Sequence, residues 1–289
     1  QSPKQSLNKA YLKEKISRSD IELFKKNLAV LLDKIKPDES EEHHKNLISD
    51  FLKDTWYKEL YEINTKGRED LVIYSGKTSK TPVGVIMEVK KPNNKAEMIS
   101  EAKPNSKALH ELILYYLQER IDHNNIDIKY LIITNINEWF IIDEVWFEKF
   151  VFRNVKLKKD FESWKLSGKD TRFFYESVAA PFLDSLNETI SCTSFDIRDF
   201  TKIVLNNDNT DDNKLIALCK ILSPVHLLKR PFINDSNSLD KAFYNELLHI
   251  IGLTETKEGG KKLIERKKPG ERDHASLIEK AIQQLDSLD

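Results

Sequence analysis

Only two of the 289 residues are cysteine, Cys192 and Cys219, too few and too far apart for a disulfide scaffold or a zinc site, so both are expected as buried free thiols. No apolar run approaches the ~18 residues of a membrane-spanning helix, and the opening stretch QSPKQSLNKAYLKEK lacks the apolar core of a signal peptide. A cytoplasmic protein with no membrane partner is the expectation. An excess of charge of one sign is lacking as well. With 46 Lys and Arg against 47 Asp and Glu, the formal net charge is −1, which excludes a polybasic nucleic-acid binder and leaves any DNA contact to local patches. Hydrophobic residues make up 39% of the chain, enough for a packed core in one large or two ordinary domains.

Two β-like runs hold the most informative residues. DLVIYS begins at Asp70, and VGVIMEVK ends at Glu88-Val89-Lys90. Residues two apart on a strand share a face, so Glu88 and Lys90 project together. Val83, Val85, Ile86 and Met87 make the second run a buried strand, and two charges at its end need a cleft, a partner or an ion. The polar turn GKTSKTP between the runs predicts a hairpin that brings Asp70 beside Glu88. Paired carboxylates resist joint ionisation unless a cation neutralises them, and hard oxygen donors suit Mg²⁺ or Mn²⁺. Asp70 and Glu88 are therefore the expected metal ligands, joined by the carbonyl of Val89. Lys90 would orient the attacking water or stabilise charge developing on a phosphate. An isolated E-x-K in a chain that is 32% charged is ordinarily a solvated strand face, so the surrounding elements matter.

Those elements have a definite order. Ser106 to Ile121 reads as an amphipathic helix with Leu109, Leu112, Ile113, Tyr116, Leu117 and Arg120 on one face. IKYLIIT and EWFIID follow as two strands across an Asn-rich turn. Ahead of the acids, SEEHHKNLISDFLKD reads as a helix capped by Ser40, with Leu47, Ile48, Phe51 and Leu52 on its apolar face. Glu41, ahead of Glu42, lies on that side and is a candidate third acid, although acids in a first turn also serve the helix dipole. His43, His44, His226 and His249 are expected in packing or surface roles, and Trp139 and Trp146 as packing residues.

Together, KNLISDFLKDTWY, EINTKGREDLVIY, GVIMEVKKPNNKAEM, KALHELILYYLQERI and YLIITNINEWFIID resemble the N-terminal PD-(D/E)xK nuclease region of type IIG (type IIS-like) single-chain restriction–modification enzymes. More distantly they resemble the nuclease domain of the type I restriction subunit. The resemblance implies a Mg²⁺-dependent endonuclease acting on double-stranded DNA, with Asp70, Glu88 and Lys90 at the D…ExK positions and a transient dimer for double-strand cleavage. In type I relatives a Gln and a Tyr on the following helix assist the site. The nearest positions here are His110, Glu111, Tyr115 and Gln118. No Asn-Pro-Pro-Tyr-like tetrapeptide or glycine-rich S-adenosylmethionine loop is present, so methyltransferase and target-recognition functions, with their S-adenosylmethionine, are expected in absent domains or subunits.

The expected fold is α+β: a mixed sheet flanked by helices, restriction-endonuclease-like, over residues 1–150, then an all-α connector over 151–289. In the connector, Leu215, Leu218, Cys219 and Leu222 form one helical stripe, and Phe243, Leu247, Ile250 and Ile251 form another. NNDNTDDN reads as a surface loop. Lys257 to Arg272 reads as a flexible basic segment, either a DNA-backbone arm or a linker. A degenerate nuclease fold that only binds DNA or a protein, a helical interaction module, and a DNA-repair nuclease are the alternative readings.

Overall fold

The computed structural model describes residues 1–66, 69–100, 102–206, 209–232, 241–258 and 261–286, without the side chains of 69, 70, 241, 242, 257, 258, 261, 262 and 286. Two compact units divide between residues 232 and 233.

In the first unit, helices α1 (Arg18–Lys34) and α2 (Glu41–Leu52) precede strands β1 (Ile63–Lys66), β2 (Glu69–Tyr74) and β3 (Val83–Val89). Ser40 caps α2 by accepting the His43 backbone N–H at 3.1 Å, as its side-chain chemistry predicts. Helix α3 (Lys107–Leu117) follows, then β4 (Tyr130–Thr134), β5 (Glu138–Asp143), helix α4 (Val155–Ser167) and β6 (Cys192–Asp196). The strands form one sheet in sequence order, β1 to β6. Only β3 and β4 run parallel. Parallel neighbours need a long crossover, and α3 lies within it.

The central strands β3 and β4 are buried on both sides, and strand alternation, shifted once between Ile73 and Tyr74, assigns the residues to two cores. Leu71, Ile73, Val85, Met87 and Val89 pack with Phe24, Leu28, Ile48 and Leu52 of α1 and α2. Val72, Tyr74, Val83 and Ile86 pack with Leu109, Leu112, Ile113 and Tyr116 of α3. Mixed sheet and flanking helices thus follow the sequence pattern. The boundary expected at residue 150 is not where the compact units divide. Strand β6 pairs with β5 from Glu138↔Asp196 to Ile142↔Cys192, which ties later chain into the sheet. CTSFD shows too little apolar alternation to stand out as a strand; the pairing edge of β5 and the packing of Phe195 on Trp139, ring centroids 6.0 Å apart, hold it.

The stripe Leu215, Leu218, Cys219 and Leu222 is buried as expected, and both cysteines are free thiols, one buried and one half-buried. Burial pushes the Cys219 thiol up to about 12. Trp139 and Trp146 are buried packing residues. Tyr57 reaches the same region: its hydroxyl donates to the Leu222 carbonyl at 2.8 Å in a fully buried position. Tyr57→Phe removes that donor, and the expected cost is ~1–3 kcal/mol. In urea unfolding this appears as a lower midpoint at unchanged slope; an unaltered midpoint contradicts it.

The second unit contains helices α5 (Lys241–Ile251) and α6 (Leu277–Asp286) and a hairpin of β7 (Leu253–Glu258) and β8 (Lys261–Arg266). Its helical stripe is displaced from the expected one, since Leu248 is buried while Phe243 and Ile250 are exposed. The basic segment from 257 to 272 is not an open arm over its described length. Residues 261–266 pair with β7, and Arg272 bonds Glu279 at 2.8 Å. Gly259 and Gly260 lie outside the described residues, as do Asn207 and Asp208 of the NNDNTDDN loop. Among the described residues, no helix is long and apolar enough to cross a membrane.

Candidate active site

The end of β3 carries the charged pair that the strand alternation predicts. The Lys90 backbone N–H donates to the Thr134 carbonyl at 2.8 Å, extending the ladder with β4 by one step. Its side chain turns to the α3 side of the sheet, where Nζ donates to Glu88 Oε1 at 2.5 Å and lies 2.6 Å from Glu111 Oε2. Glu88, Lys90 and Glu111 are 1%, 3% and 8% exposed. Burial by itself lowers the Lys90 pKa, but Glu88 and Glu111 outweigh it and raise the value above that of an ordinary lysine. The ammonium is therefore charged at neutral pH and forms ion pairs with both buried carboxylates.

The connection between β3 and α3 folds over this cluster as a strap. Met98 and Ile99 anchor it in the core beneath, the Lys103 ammonium donates to the Ala96 carbonyl at 2.9 Å, and the Ala108 N–H donates to the Glu97 carbonyl at 3.1 Å. The Glu97 side chain faces inward. It accepts from Lys107 Nζ at 2.9 Å and Asn94 Nδ2 at 3.0 Å, and it lies 3.9 Å from Lys90 Nζ. Partial burial alone raises the Glu97 pKa; the Lys107 hydrogen bond and charge prevail and lower it. Tyr175 is electrostatically coupled to the cluster, its hydroxyl raised to about 12 first by burial and then by the charge of Glu111. Three carboxylates against two ammonium groups leave these five side chains with one net negative charge.

The expected residues are placed as follows. Glu88 and Lys90 converge. Val89 between them sends its side chain into the opposite core. Leu71 pairs with Met87 across the hairpin, so one further step of antiparallel register sets the backbone of Asp70 opposite Glu88; the Asp70 side chain lies outside the described residues. Glu41 opens α2, whose Ile48 and Leu52 pack on the sheet face opposite to Glu88 and Lys90. Its carboxylate and that of Glu42 lie 3.8 and 3.7 Å from Lys45. His44 is buried with its ring nitrogens 2.8 Å from the Ser40 carbonyl and 3.1 Å from that of Lys36, a packing role.

On α3, His110 bonds Asn105 at 2.5 Å, and burial lowers its pKa to about 4. Glu111 is the α3 residue that reaches Lys90. Glu111 is one of the positions nearest the Gln and Tyr that assist the site in type I relatives, and KALHELILYYL is apolar over most of its surface, so its one acid needs a buried cation.

Glu88, Glu111 and the Val89 carbonyl offer oxygen donors only, a set that suits a hard divalent cation. Among the described residues no group of three or more His, Cys, Asp or Glu side chains is placed to hold a metal. The donor types are those a hard cation takes, and the Lys90 ammonium stands between the two described carboxylates.

Fold and site together define a mixed α/β protein with a buried acid–lysine–acid cluster at the carboxyl end of its parallel strand pair, where open sheets commonly receive ligands. The chain belongs to the family described as Domain of unknown function (DUF7149), whose model matches residues 1–235. Residues 236–289 match a second, Domain of unknown function (DUF7814), so the family boundary falls close to the division between the compact units. No curated protein and no solved structure matches the chain.

Proposed function

We propose that the first unit is a Mg²⁺- or Mn²⁺-dependent phosphodiester hydrolase acting on double-stranded DNA, an endonuclease of the restriction type. The observation that carries this reading is the convergence of Glu88 and Lys90 on one face at the end of β3, with Glu111 closing the cluster from α3. The order hairpin, strand, crossover helix, parallel strand and the register of position 70 support it. Asp70, Glu88 and the Val89 carbonyl would hold the ion, which supplies Lewis acidity and a lowered water pKa when bound. Lys90 orients the water or stabilises charge on the phosphate, and Glu111 holds Lys90 in place. Glu41 lies with α2 on the opposite sheet face, its carboxylate 3.8 Å from Lys45, so this reading does not use it as a ligand.

The burial of Glu88 and Lys90 favours a second reading, in which the cluster braces a nuclease-like fold that binds DNA without cutting it. Conversion of supercoiled plasmid to open circle with Mg²⁺ or Mn²⁺ separates the two. Hydrolysis predicts nicking that chelator abolishes and that Asp70→Asn loses; nicking that survives both changes, from a preparation free of contaminating nuclease, rules out the assigned roles.

A further inference from the structure

Glu97 occupies a position that chemistry reserves for an anion. Two ammonium groups approach it from different elements, Lys107 at 2.9 Å from the start of α3 and Lys90 at 3.9 Å from the end of β3. The amino end of a helix adds partial positive charge, and the Glu97 carbonyl already takes the Ala108 N–H there. The hydroxyl of Ser106, buried at the same helix end, has no hydrogen-bond partner among the described residues. Glu88 and Glu111 lie almost fully out of solvent, whereas the side chains of Glu97 and Lys107 are 31% and 46% exposed. Glu97 therefore stands at the mouth of the cluster, on a strap rather than on the sheet.

We infer that Lys90, Lys107 and the amino end of α3 form a phosphate-binding seat, and that Glu97 fills it as an autoinhibitory stand-in for a phosphate of the DNA backbone. This rests on the reading of the cluster as a phosphodiester hydrolase site. With Glu97 in place the five side chains sum to one negative charge, which repels a phosphate. With Glu97 withdrawn, Glu88 and Glu111 are balanced by Lys90 and Lys107, so the centre is one unit more positive whether or not Asp70 and a divalent cation are counted with it. Substrate phosphate and the Glu97 carboxylate thus compete for the same two ammonium groups, while Met98 and Ile99 keep the strap itself anchored in the core.

The test compares the native full chain, Glu97→Gln, and Glu97→Gln combined with Lys107→Ala. Fluorescence anisotropy of a labelled short DNA duplex in Ca²⁺ reads binding, and plasmid nicking in Mg²⁺ reads hydrolysis. Glutamine keeps the shape of Glu97 and removes its charge. Because a partly exposed ion pair contributes up to ~1 kcal/mol, Glu97→Gln is expected to bind the duplex on the order of fivefold more tightly. Adding Lys107→Ala should abolish that gain. Equal affinity of Glu97→Gln and the native chain, or a gain that survives Lys107→Ala, overturns the seat. Tighter binding with no nicking by any form upholds the seat and sinks hydrolysis; nicking by the native chain with unchanged binding by Glu97→Gln does the reverse.

Discussion

Lys90→Met in the full chain is expected to lower the free energy of unfolding by ~3–5 kcal/mol, read as a large drop in the urea midpoint near neutral pH. The reason lies in what remains. Methionine fills the space of the lysine stem, so little packing is lost, but Glu88 and Glu111 are left buried with the charge that Lys90 had balanced. A carboxylate in such a place must either protonate or admit water, and both cost stability. Combining Lys90→Met with Glu88→Gln and Glu111→Gln should recover much of the loss, because neutral amides carry no uncompensated charge. A single Lys90→Met that unfolds like the native chain shows the cluster to be open to water.

The pH dependence follows with opposite signs for the two perturbed groups. The folded pKa of Lys90 is raised, so its contribution is complete below the ordinary lysine value and is lost only as pH rises through the folded one. Neutral and mildly alkaline solution should leave it untouched. That of Glu97 is lowered, so its contribution is present above the ordinary glutamate value and disappears as pH falls through the folded value. Moderate acid should therefore loosen the strap while the Lys90 ammonium stays charged.

Glu88→Gln is the second large effect, and it falls on activity. The amide retains the shape of the side chain and a carbonyl oxygen for Lys90, while one negative charge is removed from the oxygen donor set. The expected loss in Mg²⁺-dependent nicking is on the order of a hundred- to a thousandfold, comparable with removing one electrostatic contact to a transition state. Stability should change less than in Lys90→Met, since Lys90 keeps Glu111 at 2.6 Å. Single-turnover nicking, with the folded fraction checked by urea unfolding, tells chemistry from misfolding. Full activity in a folded Glu88→Gln protein removes Glu88 from the ion-binding set.

Much of the first unit was legible because strands buried on both faces read as continuous apolar runs. VGVIMEVK has apolar residues on both sides of the strand, so its two charges stand out, and the structure brings Glu88 and Lys90 together as that pattern requires. Residue 192 onward carried no such signal: strand β6 depends on an edge offered by β5, a partner more than forty residues earlier in sequence. The hairpin of β7 and β8 was hidden in lysines and glutamates, whose bias toward solvated segments masks the pairing of residues 253–258 with 261–266. Glu111 was visible as a lone acid in an apolar helix, yet its partner could be named only once the crossover placed α3 over β3. Glu97 gave no sequence signal, because the path of a strap rich in Lys, Asn and Pro is set by the anchoring of Met98 and Ile99 in the core.

The central claim is that the cluster at the end of β3 takes a divalent cation, and Mn²⁺ binding by calorimetry tests it most directly, since it needs neither a target sequence nor a cleaved product. One Mn²⁺ per native chain, with binding lost in Glu88→Gln and in Asp70→Asn while both variants remain folded, is the predicted result. A native chain that takes up no Mn²⁺, or one that binds it undiminished in both variants, contradicts the account.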